Sequence, residues 1–134
     1  MTRYLLDANL VLRFLRDDHP KHAAQAKALF ARAAEGRCVL VLPAVILAEC
    51  VWVLTSFYAA DRGDIASALS QLISKPGIET EDAALSVDAL ALYASTSADY
   101  VDCYVAARAV RDDEPVASFD QDFRKFEGVR RWKP

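Results

Sequence analysis

The chain has 134 residues, of which 54% are hydrophobic and 26% are charged, and this predicts one globular domain with little room for a second. The formal net charge of −3 excludes a protein whose whole surface attracts nucleic acid, although it allows a local basic face. The longest apolar stretches are interrupted well before the roughly 20 residues that span a bilayer, and the N-terminus carries no export signal. We therefore expect a cytoplasmic location.

The first half of the chain predicts two strands that alternate with three helices. Apolar runs between polar breaks predict the strands, and runs of helix-forming residues between caps predict the helices. In chain order these are a strand at 4–6, a helix at 9–15, a helix at 20–34 that stops at Gly36, a strand at 38–42 and a helix from residue 44 to about 58 that follows Pro43. Asp17 and Asp18 are interpreted as turn and cap residues before the second helix.

The second half continues the alternation with shorter strands. In chain order it predicts a helix at 64–74, a strand at 78–80, helices at 81–93 and 100–110, a strand at 115–118, a short helix at 121–126 and an edge strand at 129–132. This alternation predicts an α/β/α sandwich with a central, mostly parallel sheet, formed by residues 1–134 as one domain.

Apolar runs in separate parts of the chain lead into carboxylates. These acids are Asp7, Glu49, the pair Asp99 and Asp102, and the pair Asp120 and Asp122. An apolar strand that ends in an acid delivers it to one edge of the sheet, where ligands of open α/β folds bind. Close carboxylates repel one another, and their oxygens are the ligands that Mg²⁺ prefers. The pattern predicts a shared metal site that supports phosphodiester hydrolysis.

Most of these acids also have a purely structural interpretation. Helix capping or the helix dipole could explain Asp7, Asp99, Asp102 and either Asp120 or Asp122. Glu49 differs because it lies mid-helix among apolar residues, where burial would require a partner or a metal. Asp99 and Asp102 are three residues apart and share one face of a helix.

The cysteines and histidines give a weaker indication of function. Cys38, Cys50 and Cys103 have no paired spacing and lie in apolar surroundings, so we interpret them as small buried thiols. His19 and His22 lack the further ligands of a zinc site and are interpreted as helix-surface residues.

Four motifs, taken together and in order, resemble the PIN-domain ribonucleases, in particular the VapC-type toxins of bacterial toxin–antitoxin pairs. They are YLLDANLVLRFLRDDHP, PAVILAECVWVL, ADYVDCYVAARA and VASFDQDF. The resemblance spans essentially the whole chain. It implies an α/β/α domain with a central parallel sheet, a Mg²⁺ or Mn²⁺ site, and endonucleolytic cleavage of RNA.

The same resemblance assigns roles to individual residues. By motif position, the catalytic acids are Asp7, Glu49, Asp102 and Asp120, and the metal ligands add Asp99 and Asp122. The relative roles of Asp120 and Asp122 stay open, because Asp122 precedes Phe123 in the family's Asp-Phe pattern. Asn9 and Ser118 match small polar residues that support the acids by hydrogen bonds.

Positive charge lies mainly near the end of the sequence and near its start. It comprises Arg124, Lys125, Arg130, Arg131 and Lys133, with Arg13 and Arg16 early. Alone, this pattern indicates a solvated basic tail, whereas beside an acidic metal site it suggests phosphate contacts. We select Arg13, Arg124 and Arg130 as RNA-binding residues.

The resemblance also implies protein partners. VapC-type toxins are held inactive by a small antitoxin and tend to form homodimers. Trp52, Phe57 and Tyr58 could contribute to one of these interfaces, although core packing is the favoured interpretation of Trp52.

Two other function classes are alternatives to the nuclease. The first is a catalytically silent PIN-like module that binds a basic peptide in the acidic groove, which the intact acids disfavour. The second is a phospho-acceptor signalling domain, which is disfavoured by the helical Glu49 and by the lack of a suitable Lys after a late strand.

Overall fold

A computed structural model describes residues 1–134, and its sheet is short and entirely parallel. Strands β1 (Arg3–Leu5), β2 (Val39–Val41) and β3 (Ile78–Glu79) lie in the order β1-β2-β3. Tyr4 pairs with Leu40, which in turn pairs with Ile78. The central strand β2 carries the fully buried Leu40, whereas every residue of β1 is exposed. The predicted parallel sheet is confirmed, with β1 at its edge.

Six α-helices and one 3-10 helix surround this sheet. They are α1 (Ala8–Leu15), α2 (Pro20–Ala34), α3 (Ala44–Ser56), α4 (Arg62–Ile73), α5 (Ala83–Ser95), α6 (Tyr100–Asp112) and the 3-10 helix Gln121–Lys125. Each begins and ends within two residues of its predicted position. The predicted α/β/α class is confirmed. None of the helices combines the length and the apolar character that a bilayer crossing requires.

The core is built from β2 and from the apolar stripes of the helices that cover it. Its fully buried side chains include Leu40 on β2, Leu42 directly after β2, Leu47 on α3, Leu69 on α4 and Leu90 on α5. The predicted burial of the thiols is confirmed, because all three cysteines are free and at most 1% exposed.

The start of α2 differs from the prediction. His19 caps this helix, with its Nδ1 accepting a hydrogen bond of 3.2 Å from the backbone nitrogen of His22. Asp18 instead accepts hydrogen bonds from the Tyr58 hydroxyl at 2.7 Å and from Arg13 at 3.1 Å, while Asp17 pairs with Lys27. The cap prediction for Asp17 and Asp18 was therefore wrong, because both carboxylates are engaged by side chains.

The predicted strands at 115–118 and 129–132 are reduced to one parallel bridge between Val116 and Arg131. The Val116 nitrogen donates to the Arg130 carbonyl, and the Trp132 nitrogen donates to the Val116 carbonyl, both at 2.8 Å. Val116 is the only buried residue between positions 115 and 118, so this segment has too little apolar surface to join the sheet. The two predicted strands are not formed, although the segments do meet.

Candidate active site

Asp7 and Glu49 lie on two different elements that start from one edge of the sheet. Asp7 follows β1 and caps α1, and Glu49 is on α3, which follows β2. Because β1 and β2 are parallel, their carboxyl ends meet at the same edge. Both acids line a cavity of about 380 Å³ that Asn9 and Arg13 share. The structure thus brings these two predicted acids together.

The negative charges of this cavity affect the pKa of the buried Cys50 thiol. Burial, followed by the charges of Glu49 and Asp7, raises the pKa of Cys50 to about 12. Two acids from distant parts of the sequence therefore act on one group.

Glu49 itself is exposed, which corrects the expectation that it is buried. The buried stripe of α3 is formed by Leu47, Cys50, Val51 and Leu54. Glu49 lies on the other side of the helix with Trp52, which is 67% exposed, so core packing of Trp52 was also wrong. An exposed carboxylate has no desolvation cost to offset, and burial consequently gives no argument for a metal at Glu49.

A second group of acids surrounds the start of α6. Asp99 caps the helix, and its Oδ1 accepts a hydrogen bond of 2.9 Å from the backbone nitrogen of Asp102. The pKa of the half-buried Asp102 is raised by burial first, and then by the charges of Asp99, Asp120 and Asp122. Three carboxylates from two parts of the sequence therefore act on Asp102.

Ser118 and Asp120 organise the segment that carries the last two acids. The Ser118 hydroxyl oxygen accepts a hydrogen bond of 2.9 Å from the Asp120 nitrogen, so it orients the backbone of Asp120. Asp120 Oδ1 accepts from the Asp122 nitrogen at 2.8 Å and caps the 3-10 helix. Asp122 also faces Lys125, with an Oδ1 to Nζ distance of 3.6 Å.

Helix capping and ligand binding are compatible at three of these positions. Asp7 Oδ1 accepts from the Ala8 nitrogen at 2.8 Å, as the Oδ1 atoms of Asp99 and Asp120 do at their own helices. Each cap uses one carboxylate oxygen, which leaves Oδ2 for another partner. The structural interpretation of these acids is observed, and it does not remove their capacity to bind a cation.

The oxygen donors suit a hard divalent cation in kind, but the structure holds them in two groups. Asp7 and Glu49 form one group, and Asp99, Asp102, Asp120 and Asp122 form the other. No three His, Cys, Asp or Glu side chains lie close enough to hold a metal ion. Carboxylates that lack such an arrangement can still attract Mg²⁺ or Mn²⁺, which retain several waters.

A residue that the sequence did not indicate fixes the start of α6. Arg62, at the first position of α4, donates from Nε to the Tyr93 carbonyl at 2.8 Å and from Nη2 to the Ala98 carbonyl. Its guanidinium also lies 3.6 Å from the centre of the Tyr93 ring. Arg62 therefore ties the end of α5 to the residue before Asp99. An arginine near a helix start looks like a solvated charge in sequence, so no signal distinguishes it.

The predicted RNA-binding arginines differ in their availability. Arg13 lines the cavity of Asp7 and Glu49 and also pairs with Asp18. Arg124 donates from Nε to the Gln121 carbonyl at 3.1 Å, and Arg130 is engaged by both the side chain and the carbonyl of Asp113.

The parallel sheet between helices, with acids after its strands, defines a small α/β domain with an acidic site at one edge. The sequence profile of the PIN domain family matches residues 4–129. Because this match covers most of the sequence, the chain belongs to the PIN domain family, whose members are generally nucleases. A comparison with curated proteins finds no match.

Proposed function

We propose that this protein is a metal-dependent endoribonuclease that acts as the VapC-type toxin of a toxin–antitoxin pair. Membership of the PIN domain family supports a nuclease. The observation that carries the proposal is the concentration of carboxylates around Asp102, whose pKa is raised by burial and by the charges of Asp99, Asp120 and Asp122. Such a concentration of negative charge favours a bound cation.

The acids of both groups are the proposed ligands of Mg²⁺ or Mn²⁺. Asp7, Glu49, Asp102 and Asp120 are the proposed catalytic residues, and Asp99 and Asp122 are further ligands. When bound, the cation supplies positive charge at a phosphate and lowers the pKa of water. Asn9 and Ser118 orient the acidic segments, and Arg13, Arg124 and Arg130 are the proposed contacts to RNA phosphates.

Two protein partners belong to the same proposal. One is a small cognate antitoxin, and the other is a second copy of this chain in a homodimer. Exposed apolar side chains on and after α3 support such contacts, because Trp52 is 67% and Phe57 is 78% exposed. Co-expression with the product of a short neighbouring reading frame, followed by gel filtration and a cleavage assay, tests for a complex that is inactive.

The central experiment is cleavage of cellular RNA with Mg²⁺ or Mn²⁺, compared with the same reaction in EDTA. Glu49→Gln and Asp102→Asn are the informative variants, since neither side chain caps a helix and both changes preserve shape. We expect each to lower the cleavage rate by on the order of 100-fold. Asp88→Asn, an exposed position on α5, is the matched control and should cleave like the wild type.

Other outcomes would change the assignment. Cleavage that is indifferent to EDTA and to both variants would overturn the metal-dependent nuclease. Tight binding of an arginine-rich peptide by a wild-type protein that neither cleaves RNA nor binds divalent cations would instead support the silent binding module.

A further inference from the structure

A cavity of about 370 Å³ lies beside Asp120, outside the cavity that Asp7 and Glu49 share. Its walls include Ser118, Phe119, Arg131, Trp132 and Lys133. Residues from positions 116–123 and 129–134 form it, and the parallel bridge between Val116 and Arg131 holds these two segments together. Backbone hydrogen bonds of 2.8 Å on both sides of Val116 fix the spacing of its walls.

Two aromatic side chains line the cavity and are accessible to solvent. Phe119 is 84% exposed and Trp132 is 44% exposed. Their ring centres are 5.7 Å apart, and their planes meet at 74°. By contrast, Phe123 and Phe126 nearby are each only 5% exposed and contribute to the core. Phe119 therefore presents a large flat apolar surface that the fold itself does not use.

The charged side chains that line the cavity are mainly positive, because Arg131 and Lys133 outnumber Asp120. Arg130 is neutralised by Asp113, at an Nη2 to Oδ1 distance of 3.1 Å. Arg131 and Lys133, which precede and follow Trp132 in sequence, form no ion pair with a side chain, and Asp120 is the only acidic side chain that lines the cavity. Two free cations beside exposed aromatic rings are the combination that binds single-stranded nucleic acid, because bases stack on the rings and phosphates bind the cations.

We propose that this cavity is the binding subsite for one unpaired nucleotide of the RNA substrate. Its base stacks on Phe119 and Trp132, and its phosphate binds Arg131 and Lys133. The subsite adjoins Asp120, so it selects an unpaired nucleotide near the bond that is cut. This inference rests on the proposed function for the identity of its ligand, and it adds the residues that determine specificity.

A protein partner fits this cavity less well than RNA. An apolar segment of another protein would cover Phe119 but would leave Arg131 and Lys133 without counter-charges. A nucleotide satisfies the rings and the cations together, since each one carries both a π-face and a phosphate.

Binding of a short fluorescein-labelled oligouridylate to the full chain in EDTA tests the subsite without requiring cleavage. We expect Phe119→Leu to weaken binding about tenfold, which is within the range for loss of one stacked base. The matched control is Tyr4→Leu, since Tyr4 is 38% exposed on the edge strand β1, lies outside both cavities and should leave binding unchanged. Arg131→Ala should lower the slope of log affinity against log salt by about 0.7.

Photo-crosslinking gives a readout that is independent of affinity. An oligouridylate that contains 5-iodouridine should crosslink to Phe119 or Trp132, and mass spectrometry of the digested protein identifies the site. Crosslinks confined to other residues, or equal binding losses for Phe119→Leu and Tyr4→Leu, would overturn the subsite. A Phe119→Leu variant that changes only the oligomeric state in light scattering would also overturn it, in favour of a protein interface.

The same experiments separate failure of the subsite from failure of the proposed function. Metal-dependent cleavage with no role for Phe119 would remove the subsite and retain the nuclease. Oligouridylate binding through Phe119 without cleavage in Mn²⁺ would retain the subsite and remove the nuclease.

Discussion

Replacing Gly77 with alanine should strongly destabilise the fold, because β3 begins in direct contact with the end of α2. Gly77 has φ of +83°, and a Cβ there would lie 2.5 Å from the carbonyl oxygen of Ala33 and 2.8 Å from its carbonyl carbon. Both are backbone atoms and cannot rotate away. The Gly77 carbonyl also accepts a 2.8 Å hydrogen bond from Leu40, so any shift disturbs the ladder between β2 and β3.

The size of the effect follows from two separable costs. A left-handed conformation costs an alanine about 1–2 kcal/mol, partly offset by about 0.4–1 kcal/mol from the stiffer unfolded chain. Overpacking against Ala33 adds about 1–3 kcal/mol. We therefore expect Gly77→Ala to lose about 2–4 kcal/mol of unfolding free energy, which lowers Tm by about 7–14 °C for a chain of this length.

Gly36→Ala is the matched control for this prediction. Gly36 has φ of +76°, but a Cβ there would meet nothing within 4 Å. Only the conformational cost remains, so we expect a loss of about 1 kcal/mol. Urea unfolding followed by circular dichroism measures both variants. Equal losses for the two alanines would refute the role assigned to the contact with Ala33.

Three further predictions concern the site and its support. Arg62→Ala should lower the free energy of unfolding in urea by about 2–3 kcal/mol, because it removes a charged hydrogen-bond donor from the Ala98 carbonyl. Its control is Arg37→Ala, which loses only an exposed ion pair and should cost at most about 0.5 kcal/mol. Asp102→Asn should raise Tm by about 1–3 °C at neutral pH in EDTA. The pKa of Asp102 is raised in the folded protein, so this residue stabilises the fold below the unfolded pKa of about 4, and that stabilisation is lost as pH rises through the folded pKa. The increase in Tm from Asp102→Asn should therefore disappear in acid. A decrease in Tm at neutral pH would contradict this prediction. Cys50, whose burial raises its pKa to about 12, should resist alkylation by iodoacetamide at mildly alkaline pH until urea unfolds the protein, and rapid modification of the native protein would disprove its burial.

Local patterns were sufficient to predict most of the secondary structure. Helix α2 begins at Pro20 and stops before Gly36, as its proline, its helix formers and its glycine predict. The late strands failed because their pairing depends on tertiary packing, and Val116 alone provides too little buried surface. The cap at His19 was missed because Asp18 is captured by Tyr58 from forty residues away, a contact that local sequence cannot reveal.

The sequence predicts which acids belong to the candidate site better than it predicts where those acids lie. Asp7 and Glu49 line one cavity, and Asp102 lies in the field of Asp99, Asp120 and Asp122. The convergence of all six acids at one shared metal site stays a prediction, because the structure holds them in two groups. The sequence could not show that Glu49 is exposed, because α3 is apolar on almost every side and has no clear periodicity. Family roles for individual acids stay predictions until variants are measured.

The capping bonds at Asp7, Asp99 and Asp120 have a consequence for how relatives of this chain should be interpreted. A lineage that lost its nuclease activity would still keep aspartate, or another good cap, at these positions, because its helices would otherwise fray. An acid that is retained at one of these capping positions is therefore weak evidence of nuclease activity. The side chains of Glu49 and Asp102 cap no helix, so a lineage without nuclease activity would lose these two acids first. They are therefore the positions that distinguish active from inactive relatives.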